Sequence, residues 1–154
     1  SIRRQREMCI RERPSFDSIN QNGDKISLSD FIGRKVILYF YPRDNTPGCT
    51  AQACNLRDNF KLLKDDGFTV LGVSSDSVKS HEKFVIKYDL PFDLIADEDK
   101  SIHKKYGTWI EKKMYGKSYM GTARWTFIID ENGIITEIIE KVKTKEHTEQ
   151  IISE

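Results

Sequence analysis

Val36-Ile37-Leu38-Tyr39-Phe40-Tyr41-Pro42-Arg43-Asp44-Asn45-Thr46-Pro47-Gly48-Cys49-Thr50 passes from an unbroken apolar run, through a turn bracketed by prolines, to a cysteine. The first six residues are β-branched, aliphatic or aromatic and do not alternate with polar ones, the pattern of a strand buried on both faces. Pro42 ends that run, since proline gives no donor to a ladder. Thr46 is a usable N-cap and Pro47 is favoured at the first helical position, so a helix is expected from residue 47. Ala53, Leu56, Phe60 and Leu63 follow at spacings of three and four, one apolar helical face, and Gly67 stops it.

The pattern continues outward in both directions. Upstream, Asn22-Gly23 is a hairpin-turn signal with Ile26 and Leu28 beyond it at strand spacing. Downstream, 68–73 reads as a second buried strand, and Ser77 or Ser80 can cap a helix through Phe84, Val85 and Tyr88. Residues 92–95 read as a short strand and 101–106 as a short helix ended by Gly107. A Gly-containing, aromatic-rich loop comes next. Strands over 125–129 and 134–139 form a hairpin around Asp130-Glu131-Asn132-Gly133, and 144–152 reads as a last helix. Alternating strands and helices followed by a hairpin give an α/β fold, a central mixed sheet flanked by helices. Residues 14–154 read as a single domain. Residues 1–13 carry five arginines against two glutamates, and are expected to be a flexible, solvated terminal segment that holds Cys9.

Charge and hydropathy exclude several classes. Lys plus Arg is 25 against 24 for Asp plus Glu, a formal net charge of +1, which gives no electrostatic reason to expect nucleic acid or an anionic membrane as partner. The longest purely apolar stretch, 36–41, falls far short of the ~20 residues that span a bilayer. No secretory signal pattern is visible.

The three cysteines are Cys9, Cys49 and Cys54, an odd number that argues against a structural disulfide scaffold. Cys49 falls in the first turn of the expected helix, straight after a central strand. Unpaired N–H groups and the helix dipole favour negative charge there, and the thiolate is the reactive form of cysteine. The carboxyl ends of parallel strands are also where α/β folds gather their sites. On position alone, Cys49 reads equally as a small buried apolar residue. Zinc would need further ligands, whereas His81, His103 and His147 fall in three separate helical segments. A thioredoxin-type dithiol needs Cys-x-x-Cys, and the spacing here is Cys-x-x-x-x-Cys. A hydrolase needs a base beside its nucleophile, and no histidine neighbours Cys49 in sequence. A peroxidase needs only a thiolate, donors that polarise an O–O bond, and a way to remove the sulfenic acid. Disulfide exchange, redox sensing and zinc binding stay open as alternatives at this point.

Pro42-x-x-x-Thr46-x-x-Cys49 resembles the peroxiredoxin active-site signature. The longer run from Tyr39 through Cys54 to Asp58 is similar to the bacterioferritin comigratory protein branch, also called PrxQ. The likeness extends through Val70-Leu71-Gly72-Val73-Ser74-Ser75-Asp76, Asp97-Glu98-Asp99, Tyr115-Gly116-Lys117 and the 124–130 strand. The resemblance implies a thioredoxin-like fold and reduction of hydrogen peroxide and organic hydroperoxides, without metal or cofactor. It implies that Cys49 is the peroxidatic cysteine and Cys54 the resolving one. Thr46 would donate a hydrogen bond to the peroxide, Pro42 would shield the pocket, and Arg124 would hold the thiolate and the transition state. It further implies a thioredoxin-type dithiol reductant, a monomer and a bacterial cytoplasmic location. Two positions depart from the family: many members carry Glu where Gln52 stands, and some carry a further cysteine in the helix that here holds His103. That helical setting makes His103 a surface or hydrogen-bonded structural histidine.

The implied disulfide has a mechanical consequence. Five residues of α-helix separate Cα atoms by about 8.6 Å, while a disulfide tolerates about 4.4–6.8 Å. The first turn or more of the helix is therefore expected to unwind once Cys49 is oxidised. Amide exchange is expected to rise around Thr46 to Leu56 in the oxidised protein; a fully protected helix that carried the disulfide would contradict this.

Overall fold

The computed structural model describes residues 16–152. Cys9 and the arginine-rich segment 1–13 lie outside the described residues. Five strands form the central sheet: β3 (Lys35–Phe40), β4 (Phe68–Ser74), β5 (Asp93–Ala96), β8 (Thr126–Ile129) and β9 (Ile135–Ile139). Their order is β5-β4-β3-β8-β9. β3 pairs in parallel with β4, and β4 with β5, whereas β8 runs antiparallel to both β3 and β9. This is the expected mixed sheet, with the 36–41 run at its centre.

Alternation along β3 divides the core. Ile37, Tyr39 and Tyr41 face one layer, which holds Cys49, Ala53 and Leu56. Val36, Leu38 and Phe40 face the other, with Ile102, Tyr106 and Phe127. The helices α1 (Pro47–Asp58), α2 (Phe60–Asp65), α3 (Val78–Tyr88) and α5 (His147–Ile152) and the short α4 (Ser101–Tyr106) bury these faces. Ser77 caps α3, its hydroxyl accepting from the Ser80 N–H at 3.1 Å. A small hairpin of β1 (Asp17–Ile19) and β2 (Lys25–Ser27) turns through Asn22-Gly23 as the sequence indicates.

Four elements differ from the sequence reading. The helix expected to run on to Gly67 is broken at Asn59, which lies off the helical backbone at φ −110° and ψ 14°. The Asn59 side-chain amide donates to the Asn55 carbonyl at 2.8 Å, a local bond that competes with helix continuation. Leu28 opens a 3-10 turn over Leu28–Phe31 instead of extending β2, with Asp30 accepting the Ser27 N–H at 3.0 Å. The last helix begins at His147, later than expected. The aromatic-rich loop is a second hairpin, β6 (Trp109–Met114) and β7 (Lys117–Thr122), joined by Tyr115 and Gly116, both at positive φ. That is the two-residue hairpin turn whose twist matches its strands. Most of the hairpin is exposed, so it has no alternation of apolar and polar residues to read.

Gly72 of β4 lies opposite Tyr39 in the ladder. A Cβ there would fall 2.9 Å from the Tyr39 Cζ and hydroxyl oxygen and 2.8 Å from Leu94 Cδ2. Tyr39 and Leu94 are both buried and have little room to yield. Gly72→Ala is expected to cost about 1–3 kcal/mol, the range for overpacking a filled core. Urea denaturation measures it, and an unchanged midpoint would mean that the tyrosine shifts freely.

Candidate active site

β3 delivers the chain to the site, and α1 leaves it. Thr46 has the extended backbone of an N-cap (φ −92°, ψ 156°) and Pro47 opens the helix. The Thr46 hydroxyl donates to the Arg43 carbonyl at 3.0 Å and makes no cap bond, while its own carbonyl accepts from the Thr50 N–H at 2.8 Å. Cys49 sits in this first turn, 2% exposed. Arg124, between β7 and β8, reaches across: Nη2 donates to the Cys49 Sγ at 3.3 Å and Nη1 to the Gln52 Oε1 at 2.9 Å. A Cβ on Gly48 would stand 3.3 Å from Nη2, so the glycine gives the guanidinium its path to the sulfur. A guanidinium and the unpaired N–H groups of a helix start together favour negative charge on that sulfur.

A second set of polar groups holds the loop between β3 and α1. The buried carboxylate of Asp44 accepts from the Tyr41 hydroxyl at 2.6 Å and the Ser80 hydroxyl at 2.9 Å, and lies 2.6 Å from the His81 Nδ1. The His81 Nε2 donates to the Ile95 carbonyl at 2.9 Å. The Asp44 N–H donates to the Asp76 carboxylate at 2.7 Å, which also accepts from Ser74. Asn45, at φ +60°, accepts from the Tyr88 hydroxyl at 3.0 Å and from Lys87 at 3.3 Å. Among the described residues, Asp44, Asp76 and His81 offer metal-ligand atoms within 4.8 Å of one another. Those atoms already take part in this hydrogen-bonded network, which satisfies each buried group.

Of the residues singled out from sequence, Cys49 and Arg124 meet, and Thr46 stands at the N-cap of the helix that carries Cys49, its hydroxyl turned to the Arg43 carbonyl. Pro42 is half-buried at the start of the same loop. Cys54 is one and a half turns further along α1, half-buried, and both cysteines are free thiols in an unbroken helix. Gln52 is fully buried; its Oε1 holds Arg124 while its Nε2 has no partner. Tyr39 lies beneath the site. Burial pushes its phenol well above 10.0, and the negative charges of Cys49 and Asp44 push the same way, so it stays protonated. His103 is buried and satisfied by Asp97 at 2.6 Å and Thr122 at 3.0 Å, the structural histidine expected from its helix. The Asp44–His81 pair is absent from the sequence reading. Its one signal was a carboxylate inside the proline-bracketed loop, and its partner lies 37 residues away.

A helix-start thiol under a guanidinium, at the carboxyl end of a central strand, defines a thiol peroxidase. Residues 11–138 match the AhpC/TSA family. The chain is 46% identical over 139 residues to a putative peroxiredoxin bcp of Coxiella burnetii, covering 90% of this chain and 92% of that protein. It is 41% identical over 140 residues to peroxiredoxin Bcp of Escherichia coli, covering 91% and 90%. It superposes on Xanthomonas campestris peroxiredoxin Q with a TM-score of 0.85 at 33% identity, over 90% and 87% of the two chains. With Xylella fastidiosa PrxQ the TM-score is 0.86 at 31% identity, over 94% of each. The chain belongs to the AhpC/TSA family, in its peroxiredoxin Bcp/PrxQ branch, with the thioredoxin-like fold of that family and a thiol-dependent hydroperoxide reductase activity. Among the described residues, no helix is long and apolar enough to cross a membrane.

His147 ties α5 to β8 close to Arg124. The Gln150 side chain is oriented by the Lys143 N–H and the Lys141 carbonyl, both at 2.9 Å, so its Oε1 accepts from the His147 Nδ1 at 3.0 Å. The Thr126 hydroxyl then donates to the His147 Nε2 at 2.8 Å, which requires a neutral ring. Burial lowers the His147 pKa from 6.5, and the charge of Arg124 lowers it further, against the Gln150 bond that raises it. The unfolded chain therefore binds this proton more readily than the folded one. The stability given by the neutral ring is complete above 6.5 and is lost as pH falls through the depressed folded value. The stability gap between wild type and His147→Asn, from urea midpoints, is expected to narrow between pH 7.5 and 5; a constant gap would remove this linkage.

Proposed function

We propose that Cys49 is the peroxidatic cysteine, that Cys54 resolves it, and that the enzyme completes its cycle with a thioredoxin-type dithiol. The observation that carries this reading is the 3.3 Å contact of the Arg124 guanidinium with the Cys49 sulfur in the first turn of α1. The thiolate attacks one peroxide oxygen. The S–O bond forms as the O–O bond breaks, and the departing oxygen takes a proton and leaves as water or alcohol. Charge grows on that oxygen in the transition state, where Arg124 and the N–H groups at the helix start stabilise it. The Thr46 hydroxyl, two residues beyond the pinned Asp44, turns from the Arg43 carbonyl to donate to the peroxide, and Pro42 keeps water from the thiolate.

Cys49 is then a sulfenic acid, and the Cys54 thiol displaces its hydroxyl as water to give the Cys49–Cys54 disulfide. A disulfide set in an unwound helix is exposed and open to thiol exchange. An external dithiol restores both thiols and becomes a disulfide itself. No groups for metal or cofactor enter this cycle. The family resemblance supports a monomer, acting in a bacterial cytoplasm, with residues 14–154 as its working unit.

Peptide mapping after one equivalent of hydrogen peroxide meets the reduced protein is expected to give rapid peroxide loss and a Cys49–Cys54 link. Cys49→Ser is expected to abolish peroxide loss, whereas Cys54→Ser consumes one equivalent and stops at a sulfenic acid. A link between Cys49 and Cys9 would remove Cys54 from its role, and an unreacted Cys49 would remove the whole scheme.

A further inference from the structure

The two halves of α1 are anchored very differently. In the first half, both side-chain ties, from Cys49 and from Gln52, run to Arg124 alone, and Thr46 adds no cap bond. In the second half, Asn55 is bound on every side to the segment that opens α5. Its Nδ2 donates to the Lys145 carbonyl at 2.8 Å. Its Oδ1 accepts from the Thr148 N–H at 2.8 Å and from the Thr148 hydroxyl at 2.7 Å, and that hydroxyl lies 3.3 Å from the Asn55 carbonyl. Thr148 is 2% exposed, so water does not readily replace the bonds that it makes to Asn55. His147, next in line, fastens the same segment to Thr126 of β8. Two residues beyond Asn55, the Arg57 Nη1 donates to the Tyr88 carbonyl at 2.8 Å.

Oxidation acts on this asymmetry. Conversion of the Cys49 thiolate to a sulfenic acid removes the negative charge that faces Arg124, while none of the Asn55 bonds involves a group that changes. Upstream, Asp44 and Asn45 are fixed to the loop before α3 and to α3 itself through Asp76, Ser80, His81 and Tyr88. The segment free to unwind is therefore 46–54, which holds both cysteines between two fastened ends.

We propose that Asn55 is a positioning residue for disulfide formation: it stops the unwinding of α1 at residue 54, so that Cys54 is held next to a fixed residue and Cys49 travels to it. This rests on the assignment of Cys54 as the resolving cysteine. The step it governs is attack of the Cys54 sulfur on the Cys49 sulfenic sulfur, in which an S–S bond forms, the S–O bond breaks and the hydroxyl leaves with a proton as water. If residues 55–58 also melted, Cys54 would join a longer floating chain and meet Cys49 less often.

Rapid mixing with hydrogen peroxide, read by residual peroxide and by mass mapping of quenched samples, separates the two steps. Asn55→Ala is expected to leave first-turnover peroxide loss unchanged and to slow the Cys49–Cys54 link about three- to tenfold, the range set by loss of a hydrogen bond. Sulfinic acid on Cys49 rises in parallel when peroxide is in excess. Thr148→Val, which keeps the Thr148 N–H, is expected to give a smaller change in the same direction. Amide exchange of the oxidised wild type provides a test without substitution: exchange rises across 46–58, since the N–H groups of 55–58 donate to the carbonyls of 51–54, and the Asn59 N–H, which donates to the Asn55 carbonyl at 3.3 Å, keeps its protection. Exchange that spreads on through Asn59 and Leu63, or an Asn55→Ala variant that links its cysteines at the wild-type rate, overturns the proposal while Cys54 keeps its role. Absence of a Cys49–Cys54 link in the wild type overturns both.

Discussion

One guanidinium, brought to the start of one helix, is the interaction on which this site depends. Arg124 is 75 residues from Cys49 in the chain, and its reach is set by the ladder between β3 and β8. Thr126 pairs with Tyr39, and the Phe40 N–H donates to the Trp125 carbonyl at 2.9 Å, so the chain before β8 passes the end of β3 where α1 begins. A slip of one residue in that pairing would turn alternate side chains to the opposite face. The fully buried β3 and β8 make such a slip costly, since each apolar side chain they bury contributes about 1.5–3 kcal/mol. Sheet register is thus the physical basis of the site's charge.

Around that contact the protein spends its polar groups on position. Asp44 gathers a phenol, a hydroxyl and an imidazole within 2.9 Å, in a loop that also carries the two prolines and Thr46. A carboxylate so deeply buried is costly unless donors surround it, and here they do. The loop is consequently stiff just ahead of Cys49, whereas the helix that follows is held at its start by the side chain of Arg124. Stiffness upstream and weak fastening downstream suit the proposed cycle, in which the site reacts in one shape and is resolved in another.

The elements that the sequence leaves unread share a cause. The break at Asn59 comes from a side-chain amide bonding its own helix, which leaves the apolar spacing of Leu56, Phe60 and Leu63 intact. The β6–β7 hairpin is mostly exposed, so burial has written no alternation into it, and its turn at Tyr115-Gly116 lacks the Asn or Asp that marks such turns in sequence. The Asn55 latch and the Asp44–His81 pair join residues 37 to 93 positions apart through polar side chains, and polar residues carry no periodicity.

The sequence by itself determined the sheet's central strand, the helix that follows it and the place of Cys49 in the first turn, because those depend on local composition: an unbroken apolar run, Thr-Pro at a helix start, apolar spacings of three and four. The family pattern in the same stretch extended that reading to the chemistry. Only the tertiary structure decided that Arg124 faces the sulfur, that Gln52 shares it, that Asp44 is pinned by His81, and that α1 is fastened at Asn55 and loose before it. These are distances between groups far apart in the chain, and they exist only once the burial of the sheet's two faces has fixed where each strand and helix lies.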